Sequence, residues 1–313
     1  MVFTPLTILA ATFNNHNQTA IGSVKTVVAN HKIAIDKFAR KYDLGSDELI
    51  HANQNLLHKK FITPGTVVVL PTRYILPETK HKGIIINLPE KRMYVYRKNK
   101  IYTYPVGIGR QGWATPEGLL YVKSKRKNPN WYVPKAVLAA QKANGVILPA
   151  VMPPGPDNPL GKHSIKLSKM NYLIHGTNDP SGVGKRSSAG CIRMYPEDIK
   201  QLYHIVYTNM PVHVVNQPFK IKKLKGDWFM ESHAPLVEDN DDRNAADGAA
   251  STIDLSLDEA VSLVIKSISN AGAPLPNMRW IKDILHNSTG IPTLIAKADN
   301  TENFIYELKQ HRL

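Results

Sequence analysis

The chain has 313 residues, is 42% hydrophobic and carries a formal charge of +15, from 40 Lys and Arg against 25 Asp and Glu. That apolar content supports one ordinary core plus smaller modules, so two or three domains are expected, and the single cysteine excludes any intrachain disulfide. No apolar run is long enough to span a bilayer. The charge suits nucleic acid or an anionic envelope polymer equally, but the sequence holds no helix-turn-helix pattern, zinc-finger spacing or aromatic RNA-binding strand, so no nucleic-acid partner is expected.

Residues 1–23 have the apolar centre of a short export signal without the positive start that normally precedes it, and read as an atypical or truncated signal segment. Residues 24–72 form a compact unit. A first strand near Val24–Val28 precedes a helix at Ala34–Tyr42, the break Asp43-Leu44-Gly45, and a second helix opened by Ser46 as its cap. Pro64-Gly65 then turns the chain into the β-branched strand Thr66–Leu70, giving the order βααβ.

From residue 81 to 216 the pattern is of short, turn-bounded strands: Gly83–Asn87, Arg92–Tyr96, Ile101–Pro105 and Leu119–Lys123, with Arg97–Lys100 as a hairpin tip. Val133–Asn144 interrupts them as a helix ended by Gly145, and the Pro-rich stretch 149–161 reads as a rigid loop over a cleft. Pro196–Tyr207 has Pro in a first helical turn and acids near its positive end, and Pro211–Val215 returns as a core strand. Residues 217–252 read as a linker with an acidic stretch, and 253–313 as a helical extension with helices at Asp258–Ile268 and Met278–His286. The expected class is mainly β with α: an antiparallel, β-sandwich-like central domain, a small βααβ domain before it and helices after it.

The chemistry concentrates between His175 and Met194. The apolar run Tyr172–Ile174 delivers His175 to a loop mouth, and a Gly/Ser-rich loop returns with Ser188-Ala189-Gly190-Cys191, sixteen positions further on. A thiol acts as a nucleophile only as thiolate, and an imidazole is the usual base, so Cys191 and His175 are the candidate pair. Lone cysteines often only fill space, but the small and polar neighbours of Cys191 are unusual for a packing residue. Gly190 allows close backbone approach, and amides around Cys191 could face an oxyanion. Arg193 could bind a substrate carboxylate, or pair with Glu197 or Asp198 in the following helix. Ser188 and Thr177 could orient His175, line the cleft or satisfy loop backbone groups. His163, His204 and His213 lack partners of this kind, and Trp113 and Tyr132 read as core or rim. No metal or cofactor site is expected, since no cluster has metal-ligand spacing.

The segments His175-Gly176-Thr177 and Ser188-Ala189-Gly190-Cys191-Ile192-Arg193 resemble the active-site signature of the L,D-transpeptidases, the YkuD-like family. Val106–Gly109, Thr115–Gly118 and Pro153–Gly161 add to the likeness. One departure is Ala189, where many members carry a second histidine. Residues 24–72 resemble a LysM domain, a small glycan-binding fold; the alternative is a packing appendage. The resemblance to Gram-negative periplasmic enzymes implies Cys191 and His175 as catalytic, Gly190, Gly176 and Ser188 as oxyanion or orienting groups, and Arg193 and Thr177 as substrate-binding. It implies a thioester with the L-centre of meso-diaminopimelate in a peptidoglycan stem, release of D-Ala, and transfer to an amine of another stem or of an outer-membrane lipoprotein. Peptidoglycan peptides and glycan are then the partners, the envelope or periplasm the location, and carbapenems the inhibitors. Alternatives are a carboxypeptidase on the same fold and a non-catalytic wall-binding protein.

Overall fold

The structure is a computed structural model that describes residues 11–236 and 257–297. Its centre is a nine-stranded mixed sheet in the order Thr12–Asn14, Lys100–Pro105, Arg92–Arg97, Gly83–Asn87, Pro211–Val215, Gly118–Lys127, His163–Leu167, Leu173–His175 and Ile192–Arg193. Most neighbours are antiparallel, but Gly83–Asn87 runs parallel to Pro211–Val215, and Leu173–His175 parallel to Ile192–Arg193. The expected sandwich is therefore a single continuous sheet. It stays continuous because one long strand, Gly118–Lys127, pairs with Pro211–Val215 through its first half and with His163–Leu167 through its second, with a register shift at Val122/Ser124 where the partner changes.

Both faces of the middle strands are covered, which explains their unbroken apolar runs. Ile84, Ile86, Met93 and Val95 enter the main core with Ile199 and Leu202 of the Pro196–Ile205 helix, while Ile85, Tyr94 and Tyr96 face Ile21, Tyr74 and Leu76 on the other side. The Arg97–Lys100 hairpin turns at Lys98 and Asn99, whose φ angles of 48° and 56° match the twist such turns require.

The βααβ order is present in residues 25–70: Lys25–Val28 pairs antiparallel with Val67–Leu70, and the helices Ile35–Lys41 and Ser46–His51 close a small core around Phe38, Leu44 and Leu49. Ser46 is not the cap. Gly45 occupies that position, its N–H bonded to Glu48 Oε2, and the Ser46 hydroxyl instead reaches Val183 O in the central domain. Part of the segment read as an export signal is woven into the fold: Thr12–Asn14 edges the large sheet, and Ala20–Gly22 pairs with Arg73–Ile75. Residues 1–10 lie outside the described residues.

The linker expected at 217–252 is corrected in its first part. Phe219–Leu224 and Asp227–Ser232 form a hairpin across Lys225-Gly226, and Thr293–Ala296 adds a third strand. The helices Leu257–Ala271 and Met278–Asn287 pack on this sheet through Val264, Ile268, Ile281 and Leu285, so the C-terminal unit is α/β rather than helical. The acidic stretch lies outside the described residues.

Candidate active site

The parallel pair at the edge of the large sheet carries the chemistry. Ile174 stands opposite Ile192 and His175 opposite Arg193, so Cys191 is level with Leu173. Alternation along a strand then puts Leu173, His175, Cys191 and Arg193 on one face, while Ile174 and Ile192 enter the core. His175, Cys191, Arg193, Ser187 and Ser188 line a single cavity of about 430 Å³, walled by Trp113, Trp131, Leu160 and Tyr172. A cavity of equal size beside Gln217–Lys222 and Ser267 has no thiol among its described lining residues.

His175 is buried, and its Nδ1 donates to the carbonyl of Gly176 at 2.6 Å. Because a carbonyl only accepts, this fixes the proton on Nδ1 and leaves Nε2 as the basic lone pair. Burial, aided by Arg193, pushes the imidazole down to about 4, against the opposing pull of the Gly176 and Pro159 backbone. Burial likewise raises the Cys191 thiol above its ordinary range, although the Leu173 backbone and Arg193 pull it the other way. The thiol donates to Asn171 O at 3.5 Å. Both shifts favour a neutral thiol and a neutral imidazole at rest over a preformed ion pair.

The turn before Cys191 is built by Ser188, whose hydroxyl donates to Cys191 O at 2.5 Å and accepts from Gly190 N at 3.1 Å. The Gly190 amide, expected as an oxyanion or orienting group, is thus engaged within the turn. Its carbonyl accepts from Thr115 Oγ1, which also receives Gly109 N–H. Gly190 has φ +99°, and a Cβ there would sit 2.9 Å from the Tyr172 ring. Thr177, the expected substrate contact, is buried and closes its own turn, donating to Asp179 O and accepting from Asp179 N. Gly107 exchanges backbone bonds with Arg193 in both directions, so the upstream motifs meet at the cysteine turn.

Arg193 reaches Ser187 Oγ at 3.5 Å, and its buried Nε has no partner among the described residues. The pairing with Glu197 or Asp198 is overturned: Glu197 is held by Arg40 through two bonds of 2.7 Å, and Asp198 lies buried against the small N-terminal unit. Sequence reading missed Asn171, Arg110 and Trp131, which line the cavity but sit outside the motif. It also missed Asn158, whose side chain ties the 149–161 loop to Pro129, Met152, Pro153 and Leu160.

Glu90, Glu231 and His233 present ligand atoms within 4.8 Å of one another at a place remote from Cys191. The Lys220 ammonium already lies between those carboxylates, 2.8 Å from Glu90 and 2.6 Å from Glu231. Among the described residues no helix is long and apolar enough to cross a membrane.

Residues 81–214 match the YkuD family, described as the L,D-transpeptidase catalytic domain. The probable L,D-transpeptidase YcfS of Escherichia coli (strain K12) is 39% identical over 223 residues, covering 69% of this chain and 69% of that protein. The probable L,D-transpeptidase YbiS of the same strain is 37% identical, covering 68% and 70%. Among solved structures, the NMR structure of the catalytic domain from an E. faecium L,D-transpeptidase overlaps at 21% identity and TM-score 0.35, covering 44% of this chain and 100% of that one. An L,D-transpeptidase crystal structure from Mycobacterium tuberculosis H37Rv overlaps at 15% identity and TM-score 0.33, covering 50% and 64%.

Proposed function

The chain belongs to the YkuD family of L,D-transpeptidases, acyltransferases that act on peptidoglycan, and from that premise we propose that it joins cell-wall peptides through a thioester on Cys191. As a peptide carbonyl enters, Cys191 Sγ exchanges its bond to Asn171 O for proton transfer to His175 Nε2 and adds to the carbonyl carbon of the L-centre of meso-diaminopimelate. Since the Gly190 amide is engaged by Ser188, the amide of Cys191 itself is assigned to the oxyanion. His175 returns the proton to the departing D-Ala nitrogen and the C–N bond breaks. An incoming amine then attacks the thioester carbon and gives its proton to His175, which returns it to the sulfur as the C–S bond breaks and the thiol is released. The acceptor is a second diaminopimelate amine or a lysine of an envelope lipoprotein. The unspent Nε of Arg193, with Arg110 in the same cavity, offers the donors a carboxylate on the departing or arriving group would take.

The observation that carries this reading is that a thiol, a basic imidazole nitrogen and a guanidinium line one cavity in which none of the described residues is acidic. The net charge of +15 suits an anionic wall, and the βααβ unit is read as a LysM-like module for wall glycan. The enzyme is accordingly assigned to the periplasm, and carbapenems, which acylate thiols, to its inhibitors.

Incubation of the full chain with purified tetrapeptide muropeptides is expected to release D-Ala and form crosslinked dimers, both lost in Cys191→Ala. Trimmed tripeptide monomers without dimers would make it a hydrolase on the same fold, and no D-Ala release at all would overturn the assignment.

A further inference from the structure

A second cavity, of about 260 Å³, also reaches Cys191; it shares Trp131, Pro134, Leu160 and Asn171 with the larger one, but His175 is not among its lining. Its floor follows from strand register. Ser124 stands opposite Lys166, and Lys166 opposite Leu173; Arg126 stands opposite Ser164, and Ser164 opposite His175. The alternation that puts Leu173 and Cys191 on the site face therefore brings Ser124, Arg126, Ser164 and Lys166 onto it as well. These four side chains, with Asn130 and Asn171, line the cavity; Trp131 and Tyr132 form its wall, and among the described residues none of its lining is acidic. Neither Arg126 nor Lys166 has an ion-pair partner among the described residues, whereas Lys125, on the opposite face between Ser124 and Arg126, donates its ammonium to Tyr203 O and Val206 O.

Proton handling distinguishes the two cavities. In acyl transfer both the nitrogen that leaves and the nitrogen that arrives must reach the same base, and His175 lines only the larger cavity. The amine halves of both substrates therefore lie there. The acyl half, still attached to Sgamma while the amines exchange, extends into the smaller one.

We propose that Arg126 and Lys166 form a carboxylate-recognition subsite for the acyl half of the donor, so that the enzyme selects donor stems whose carboxylates are free over stems in which they are amidated. This rests on the transpeptidase reading and specifies its substrate. The pair acts in binding, not in bond making: each cation contributes through a partly solvated contact, and loss of one costs the free-acid donor roughly fivefold in kcat/KM, mostly through KM.

The test compares D-Ala release from a tetrapeptide donor with free carboxylates and from the same donor with its acyl-side carboxylates amidated, using the full chain, Arg126→Gln, Lys166→Gln and the double variant. Both side chains are exposed, so folding is not at stake, and an unchanged rate of Cys191 alkylation by iodoacetamide confirms an intact site. The wild type is expected to prefer the free acid about tenfold or more, and the double variant to lose that preference while keeping its rate on the amidated donor. A wild type indifferent to amidation, or a double variant that still discriminates, overturns the subsite and leaves the transpeptidase reading standing. No D-Ala release from either donor by the wild type overturns both.

Discussion

Replacing His175 by Gln keeps a hydrogen-bonding side chain but removes the basic nitrogen, and is expected to lower turnover on the order of 10²–10⁴-fold in a D-Ala release assay. The resting pair also makes a pH prediction. Because burial raises the thiol and holds the imidazole neutral down to about pH 4, alkylation of Cys191 in the free enzyme should rise only on the alkaline side of an ordinary thiol. A reactive plateau at neutral pH would show a thiolate already formed. A second residue tests stability. Burial pushes the carboxyl of Asp43 up to about 7, and Asp198 is raised beside it, its Oδ2 without a partner among the described residues. A carboxyl raised on folding contributes stability that is whole below its unfolded value near 4 and is lost as pH rises through about 7. Asp43→Asn tolerates the local φ of 56°, so its melting temperature should fall less than that of the wild type between pH 5 and 8. That Cys191 and His175 line one cavity was legible because the two sit in a single local motif. The duties of Ser188, Gly190 and Thr177 were not, because a short hydroxyl or amide takes whichever partner the folded turn presents, and that is decided in three dimensions.

Among the elements, the loop between His175 and Cys191 owes its position to the N-terminal unit. Gly184, with φ +78°, packs its backbone on Gly45, and a Cβ on Gly184 would fall 2.3 Å from Gly45 Cα. The Ser46 bond to Val183 O and the Tyr195 bond to Leu44 O flank this contact. Gly184→Ala is therefore expected to cost about 2–4 kcal/mol in urea unfolding and to reduce D-Ala release, although the residue touches no substrate. Asn158→Ala, which strands three loop carbonyls, should cost about 2–3 kcal/mol. Strands and helices with clean periodicity were readable from the chain, including Pro196–Ile205 and Met278–Asn287. The Phe219–Ser232 hairpin was missed because its first strand is rich in Lys and the hairpin leads into an acidic segment, so composition masked an alternation, Phe219-Lys-Ile221, whose apolar members are buried.

At the scale of the molecule, three units are joined by buried charge. Lys220, in the C-terminal hairpin, binds Glu90 of the central domain, Glu231 of its own sheet and the carbonyl of Ile75. Arg92 pairs with Glu48 across the N-terminal boundary at 2.7 Å. Breaking a buried pair strands the remaining charge, so Lys220→Met should destabilise the protein by about 3–5 kcal/mol and loosen the C-terminal unit in hydrogen exchange. Such long-range pairs cannot be read from sequence, since nothing local connects residue 90 to residue 220. The pairing of Gly83–Asn87 with Pro211–Val215 bears on how the enzyme comes into being. The first and last strands of the catalytic region are neighbours, so its hydrophobic interior cannot close until nearly all of that region has emerged from synthesis. The strand pair beside Cys191 packs on that interior through Ile174 and Ile192, so maturation should be slow and all-or-none, and activity should return during refolding together with burial of the core tyrosines.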